Sequence, residues 1–106
     1  MRTNKFSVIT EQDDNNLSVH LQGELDLAAA GEFRVFMEPI ANDESINLTL
    51  DLAQLTYIDS TGIGILISIL KIRNAKQSKL SVANVPAHIQ RLFDMTGISK
   101  FFSAAQ

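Results

Sequence analysis

The chain has 106 residues, 45% of them hydrophobic, which is enough for one modest core and a single domain spanning 1–106. Nine lysines and arginines against twelve aspartates and glutamates leave a net charge of −3, which excludes the strongly basic face of a general nucleic-acid binder. The absence of cysteine excludes a disulfide framework and a thiolate metal site and fits a cytoplasmic protein. The N-terminal residues lack the apolar core of a signal peptide, and the longest apolar run, 62–70, is far short of the ~20 residues that span a bilayer.

Lys5 to Thr10 places Phe6 and Val8 on one face, and Leu17, Val19 and Leu21 alternate in the same way. Both segments predict half-buried strands, joined as an antiparallel hairpin through the polar stretch Gln12 to Asn16. Gly23 is expected to close the second strand. Asp26 then reads as the N-cap of a helix reaching about Glu38, with Pro39 marking its end. Either Leu27, Ala30, Val35 and Met37 or Phe33 and Phe36 are available to face the sheet. Ile46, Leu48, Leu50 and Leu52 recur at period two and predict a third strand, whose connection through a helix implies parallel pairing with the second.

After Ser60 comes a helix with two apolar rows, Ile63, Leu66, Ile67 and Leu70 beside Ile65, Ile69 and Ile72. Such a helix is expected to lie sandwiched between the sheet and a neighbouring helix. Lys71, Arg73, Lys76 and Lys79 suit the negative pole of its dipole and receive no binding role. Leu80 to Ala83 predicts a short fourth strand. Pro86 stands as a first helical residue, Val85, Ile89, Leu92 and Phe93 form an apolar face, and Gly97 ends that helix. Ile98, Phe101 and Phe102 are expected to cap the core with a final turn. The order β-β-α-β-α-β-α defines an α/β fold, a mixed sheet with helices on one face.

The most informative segment is Tyr57-Ile58-Asp59-Ser60-Thr61-Gly62-Ile63-Gly64, which delivers a serine from a strand to the mouth of an apolar helix. Two roles are open to Ser60. A serine at a helix start caps it by accepting a backbone N–H. A helix N-terminus also favours an anion by about 0.3–1 kcal/mol, so a phosphate on Ser60 is tolerated there. Gly62 and Gly64 each cost roughly 0.5–1 kcal/mol against alanine and permit close approach of another backbone, which points to a docking surface. Asp26 follows a strand as Asp59 does, and in a parallel unit such loops gather at one sheet edge. It is expected either to flank Ser60 in a partner's footprint or to serve as a helix cap alone.

Three segments together, Gly23-Glu24-Leu25-Asp26-Leu27, Tyr57 to Gly64, and Arg91-Leu92-Phe93-Asp94-Met95-Thr96-Gly97-Ile98, resemble the STAS domain of bacterial anti-sigma factor antagonists. The resemblance covers nearly the whole chain. It is strongest to the RsbV type, which controls the general stress sigma factor in Bacillus-like bacteria, with the sporulation antagonist close behind. The resemblance implies a SpoIIAA-like fold with a mixed sheet of four to five strands. It also implies a partner-switching protein and no enzyme. The unphosphorylated form would bind an anti-sigma factor that is also a serine kinase, freeing the sigma factor. Phosphorylation would fall on Ser60, and a PP2C-type phosphatase would reverse it. The partner's footprint would comprise Asp26, Leu27, Asp59, Ser60, Thr61, Gly62, Ile63 and Gly64. Neither a cofactor nor a metal is implied, and neither nucleic acid nor a membrane is expected as a partner.

Other chemistries lack their parts. A hydrolase nucleophile at Ser60 needs a base, yet the two histidines, His20 and His88, read as ordinary surface or edge residues, and the G-x-S-x-G elbow is missing. Asp59-Ser60-Thr61-Gly62 carries one residue too many for an aspartic-protease motif and has no second copy. A phosphoaspartate receiver built on Asp51 or Asp59 would lack the acidic pair that holds magnesium. The alternative reading is a STAS interaction subunit of a transporter, such as a lipid ABC system, with no phosphorylation switch.

Overall fold

The computed structural model describes residues 5–98, together with the backbone of Ser103 and Ala104. Strand β1 (Ser7–Asp13) turns into β2 (Asn16–Leu25) through Asp14 and Asn15, and the two pair antiparallel. Asp14 adopts φ 55°, a left-handed conformation that aspartate tolerates better than most residues. Helix α1 (Leu27–Ala41) carries the chain back to β3 (Asn47–Ile58), which pairs parallel with β2. Helix α2 (Ser60–Ala75), β4 (Leu80–Ala83) and α3 (Ala87–Thr96) follow, and β5 (Ser103–Ala104) adds a parallel edge to β4. The five strands lie in the order β1-β2-β3-β4-β5.

One face of this sheet presents Val19, Leu21, Leu25, Leu48, Leu50, Leu52, Leu55 and Ile58, all buried. The helices meet it with Ala30, Phe33 and Met37 of α1, Ile65, Leu66 and Ile69 of α2, and Ile89 and Phe93 of α3, forming one core. Among the described residues no helix covers the opposite face, which carries half-buried polar side chains, among them Ser18, His20 and Asp51. As expected for its two apolar rows, α2 packs on both the sheet and α1; a groove of about 80 Å³ between the helices is floored by Met37, Ala41 and Ile69.

Several expectations are corrected by the structure. Helix α1 runs through Pro39 to Ala41, because a proline near the C-terminus forfeits one backbone bond while Asn42 secures the end, its N–H and its side-chain amide both donating to the Glu38 carbonyl at 3.2 and 2.8 Å. Neither of the two faces expected for α1 is used whole. The buried row is Ala30, Phe33, Met37 and Ala41, and Leu27, Val35 and Phe36 remain exposed. Strand β2 continues past Gly23 to Leu25 with a register shift at Gly23/Glu24. There the glycine takes φ 90° and passes so close to Lys5 that a Cβ would collide with its backbone. Pro86 is the N-cap of α3, one position before the expected place, while Gly97 closes that helix in the left-handed conformation as expected. Ile98 is buried in the core, and Phe101 and Phe102 lie outside the described residues.

Arg73 departs furthest from expectation. It is 1% exposed, not a solvated dipole partner, and its guanidinium donates to the carbonyls of Ala41 (3.3 Å), Asp43 (2.8 Å), Ile46 (2.7 Å) and Lys79 (2.8 and 3.2 Å). These carbonyls come from the end of α1, the approach to β3 and the loop after α2. A single buried cation therefore saturates backbone acceptors of two connections, α1 to β3 and α2 to β4, where an unpaired buried carbonyl would be costly.

Candidate functional site

Parallel pairing of β2 and β3 sets Leu25 beside Ile58, so the residues that follow them, Asp26 and Asp59, emerge together at one end of the sheet. The Asp59 N–H donates to the Leu25 carbonyl at 3.3 Å, which ties the two loops before either helix begins. Each aspartate is extended and caps the helix after it. Asp26 Oδ1 accepts from the Ala29 N–H at 3.1 Å, and Asp59 Oδ1 accepts from the Gly62 N–H at 3.0 Å. The second oxygen of Asp59 reaches across to the other helix, accepting from the Leu27 N–H at 3.1 Å. One carboxylate thus joins the first turns of α1 and α2.

This arrangement removes one of the two roles open to Ser60, that of the helix cap. Asp59 holds the cap, and Ser60 is the first residue of α2, exposed, its hydroxyl making no hydrogen bond among the described residues. Thr61 is exposed beside it. The two glycines differ in kind: Gly62 is buried, and a Cβ there would lie 2.6 Å from the Leu25 carbonyl oxygen and 2.8 Å from Ile58 Cγ1, whereas Gly64 is exposed with open space where a side chain would be. The close backbone approach expected of both therefore belongs to Gly62 alone, and it is made to this chain's own β2. Ile63 is also turned inward at 9% exposure.

Around this mouth the surface is mixed. Leu27 is 73% exposed, and Tyr57, at the end of β3, is 49% exposed. Tyr57 had no signal in the period-two pattern, because the regular alternation of β3 breaks after Leu52. A hollow of about 290 Å³ beside Asp26 is lined by Lys5, Phe6, Glu24, Ala29 and Glu32, giving that flank a carboxylate-rich rim. A phosphate at Ser60 would add about −1.5 to −2 charges at a helix mouth where the Asp59 carboxylate already stands.

Neither histidine serves Ser60. The ring Nε2 of His88 donates to the Thr56 carbonyl at 2.9 Å, and His20 stands on the open sheet face between Glu11 (3.0 Å) and Asp51 (3.4 Å). Among the described residues, no cluster of three or more histidines, aspartates or glutamates is placed to hold a metal ion, and no helix is long and apolar enough to cross a membrane.

Comparison with known proteins agrees with this architecture. A family model described as "Mlab, STAS domain" matches residues 8–103. The anti-sigma-B factor antagonist of Listeria monocytogenes is 32% identical over 91 residues, covering 86% of this chain and 80% of that protein. An anti-sigma factor antagonist from Mycobacterium paratuberculosis superimposes with a TM-score of 0.84 at 20% identity, covering 97% of this chain and 87% of the other. The Bacillus cell fate determinant SpoIIAA, solved in its phosphorylated form, gives 0.74 at 18% identity over 94% of this chain and 92% of its own. With a family match over most of its length and relatives above 30% identity, this chain belongs to the STAS-domain family of anti-sigma factor antagonists.

Proposed function

We propose that this antagonist is a phosphorylation-controlled partner switch with Ser60 as its phosphoacceptor. In the unphosphorylated state it binds an anti-sigma factor that is also a serine kinase, and the sigma factor is released to direct transcription in the cytoplasm. Phosphorylation of Ser60 ends that binding, and a PP2C-type phosphatase restores it. The protein acts by binding and has no turnover of its own.

The observation that carries this reading is the division of labour between Asp59 and Ser60. Because Asp59 caps α2, the exposed Ser60 hydroxyl has no structural duty and is free to accept a phosphoryl group. The footprint around it consists of Asp26, Leu27, Asp59, Ser60, Thr61 and Gly64 at the surface, shaped from within by Gly62 and Ile63. Two unit charges ~4 Å apart interact by ~1 kcal/mol in water and ~4 kcal/mol near a protein surface, so a phosphate at such a contact weakens binding by ~10²-fold or more. That a SpoIIAA structure exists in the phosphorylated form is consistent with such a switch in the family.

The test is reconstitution with the anti-sigma kinase encoded in the same genome. With ATP, one phosphoryl group should appear on Ser60 and binding should fall, while Ser60→Ala should bind and resist inactivation. Stable binding of a transporter ATPase subunit, with Ser60 never modified, would replace this reading with the transporter alternative.

A further inference from the structure

The Asp59 carboxylate is shared between two helices. Its Oδ1 takes the Gly62 N–H of α2 at 3.0 Å and its Oδ2 takes the Leu27 N–H of α1 at 3.1 Å. Leu27 is the first residue of α1, and its side chain is largely in solvent next to the mouth that holds Ser60. The brace therefore fixes where an exposed apolar side chain stands relative to the phosphoacceptor.

We propose that Asp59 is the positioning residue of the switch: phosphate on Ser60 displaces its carboxylate, the bond to Leu27 opens, and the start of α1 is released. This rests on the reading of Ser60 as the phosphoacceptor. A phosphoserine at the first position of α2 places a second anion at the same helix mouth, adjacent in sequence to Asp59. The Ser60 and Thr61 N–H groups have no acceptor among the described residues, and the three phosphate oxygens compete for them and for the Gly62 N–H. Repulsion between the two anions removes Asp59 from Gly62. Since both oxygens belong to one planar group, movement of one end carries the other away from Leu27. Charge-assisted bonds of this kind are strong but depend on geometry, so a small rotation suffices. Asp26 caps α1 independently through Ala29, so the helix itself persists and only its first residue is loosened.

The experiment is amide hydrogen exchange by NMR on the full chain carrying genetically encoded phosphoserine at 60, compared with unmodified protein and with Asp59→Asn. Ala29, held by Asp26, is the internal reference. Phosphoserine should accelerate exchange at Leu27 by about tenfold while Ala29 stays within about twofold. Asp59→Asn, which keeps one acceptor oxygen for Gly62, should give the same Leu27 signature without phosphate. It should also weaken binding to the anti-sigma kinase by about fivefold with Ser60 unmodified. Unchanged exchange at Leu27 in the phosphoserine protein overturns the proposal, as does equal acceleration at Leu27 and Ala29, which would mean fraying of α1 as a whole. The function itself is judged separately. A phosphoserine protein that fails to bind the kinase with its brace intact leaves the switch standing, whereas one with the brace open and full binding defeats the switch.

Discussion

Gly62 lies against Leu25 so closely that a methyl group on its Cα would stand 2.6 Å from the Leu25 carbonyl oxygen and 2.9 Å from Leu25 Cγ. That contact seats the first turn of α2 on the end of β2 and thereby sets the height at which Ser60 leaves the sheet. Gly62→Ala should cost about 1–3 kcal/mol through overpacking, read as a lower urea midpoint with unchanged slope. Gly64→Ala should instead gain about 0.5–1 kcal/mol, because its site is open and alanine is the better helix former. If Gly64 belongs to the partner's footprint, the same variant should bind the anti-sigma kinase more weakly despite its added stability.

Capping offers a second contrast. Asp59→Ala removes the acceptor for two N–H groups and should destabilise the protein by about 1–2 kcal/mol, while Ser60→Ala should fall within about 0.5 kcal/mol of the parent. The pair is measured by thermal or urea unfolding of unphosphorylated protein. A large loss in Ser60→Ala would mean that the serine does structural work, and the inference from its free hydroxyl would fail.

What could be read from the residues alone follows from periodicity. The alternation of Leu17, Val19 and Leu21 and of Leu48, Leu50 and Leu52 located the two central strands, and the two apolar rows of α2 announced a helix buried on two sides. Segment ends were less legible. Asp59 and Ser60 are both good N-caps, and composition cannot say which of two adjacent cap formers is in phase with the helix; only the backbone geometry does. Pro39 signalled a stop that the side chain of Asn42 made unnecessary. Arg73 was illegible because it stands among Lys71, Lys76 and Lys79, and nothing in a run of basic residues tells which one turns inward. Its partners are backbone carbonyls, which leave no mark in a sequence.

Arg73 accordingly yields a third prediction. Arg73→Gln should cost on the order of 3 kcal/mol, since several buried carbonyls lose a charged donor at once. Arg73→Lys should recover part of that loss but not all, because an ammonium cannot span the separate carbonyls of Ala41, Ile46 and Lys79 as the guanidinium fork does. The order parent, Lys, Gln in urea midpoint is the outcome expected. A glutamine variant as stable as the parent would show that these carbonyls find water instead.

The loop that Arg73 holds also contains an acid-sensitive element. The Asp43 carboxylate accepts from the Ser45 hydroxyl at 2.6 Å and the Ser45 N–H at 2.9 Å. These two bonds, the hydroxyl's first, hold its pKa below the ordinary value of 3.8 against the opposing effect of desolvation, with the charge of Arg73 as the least of the contributions. A carboxyl lowered by folding contributes stability that is fully present above its unfolded pKa. It is lost as pH falls through the lowered folded value, because the unfolded chain then binds the extra proton. Asp43→Asn retains an acceptor for Ser45 but cannot titrate. Urea midpoints of parent and variant should therefore differ at neutral pH and converge as pH drops below about 4. Curves that stay parallel through that window would mean that the carboxylate bonds to Ser45 do not stabilise the folded state.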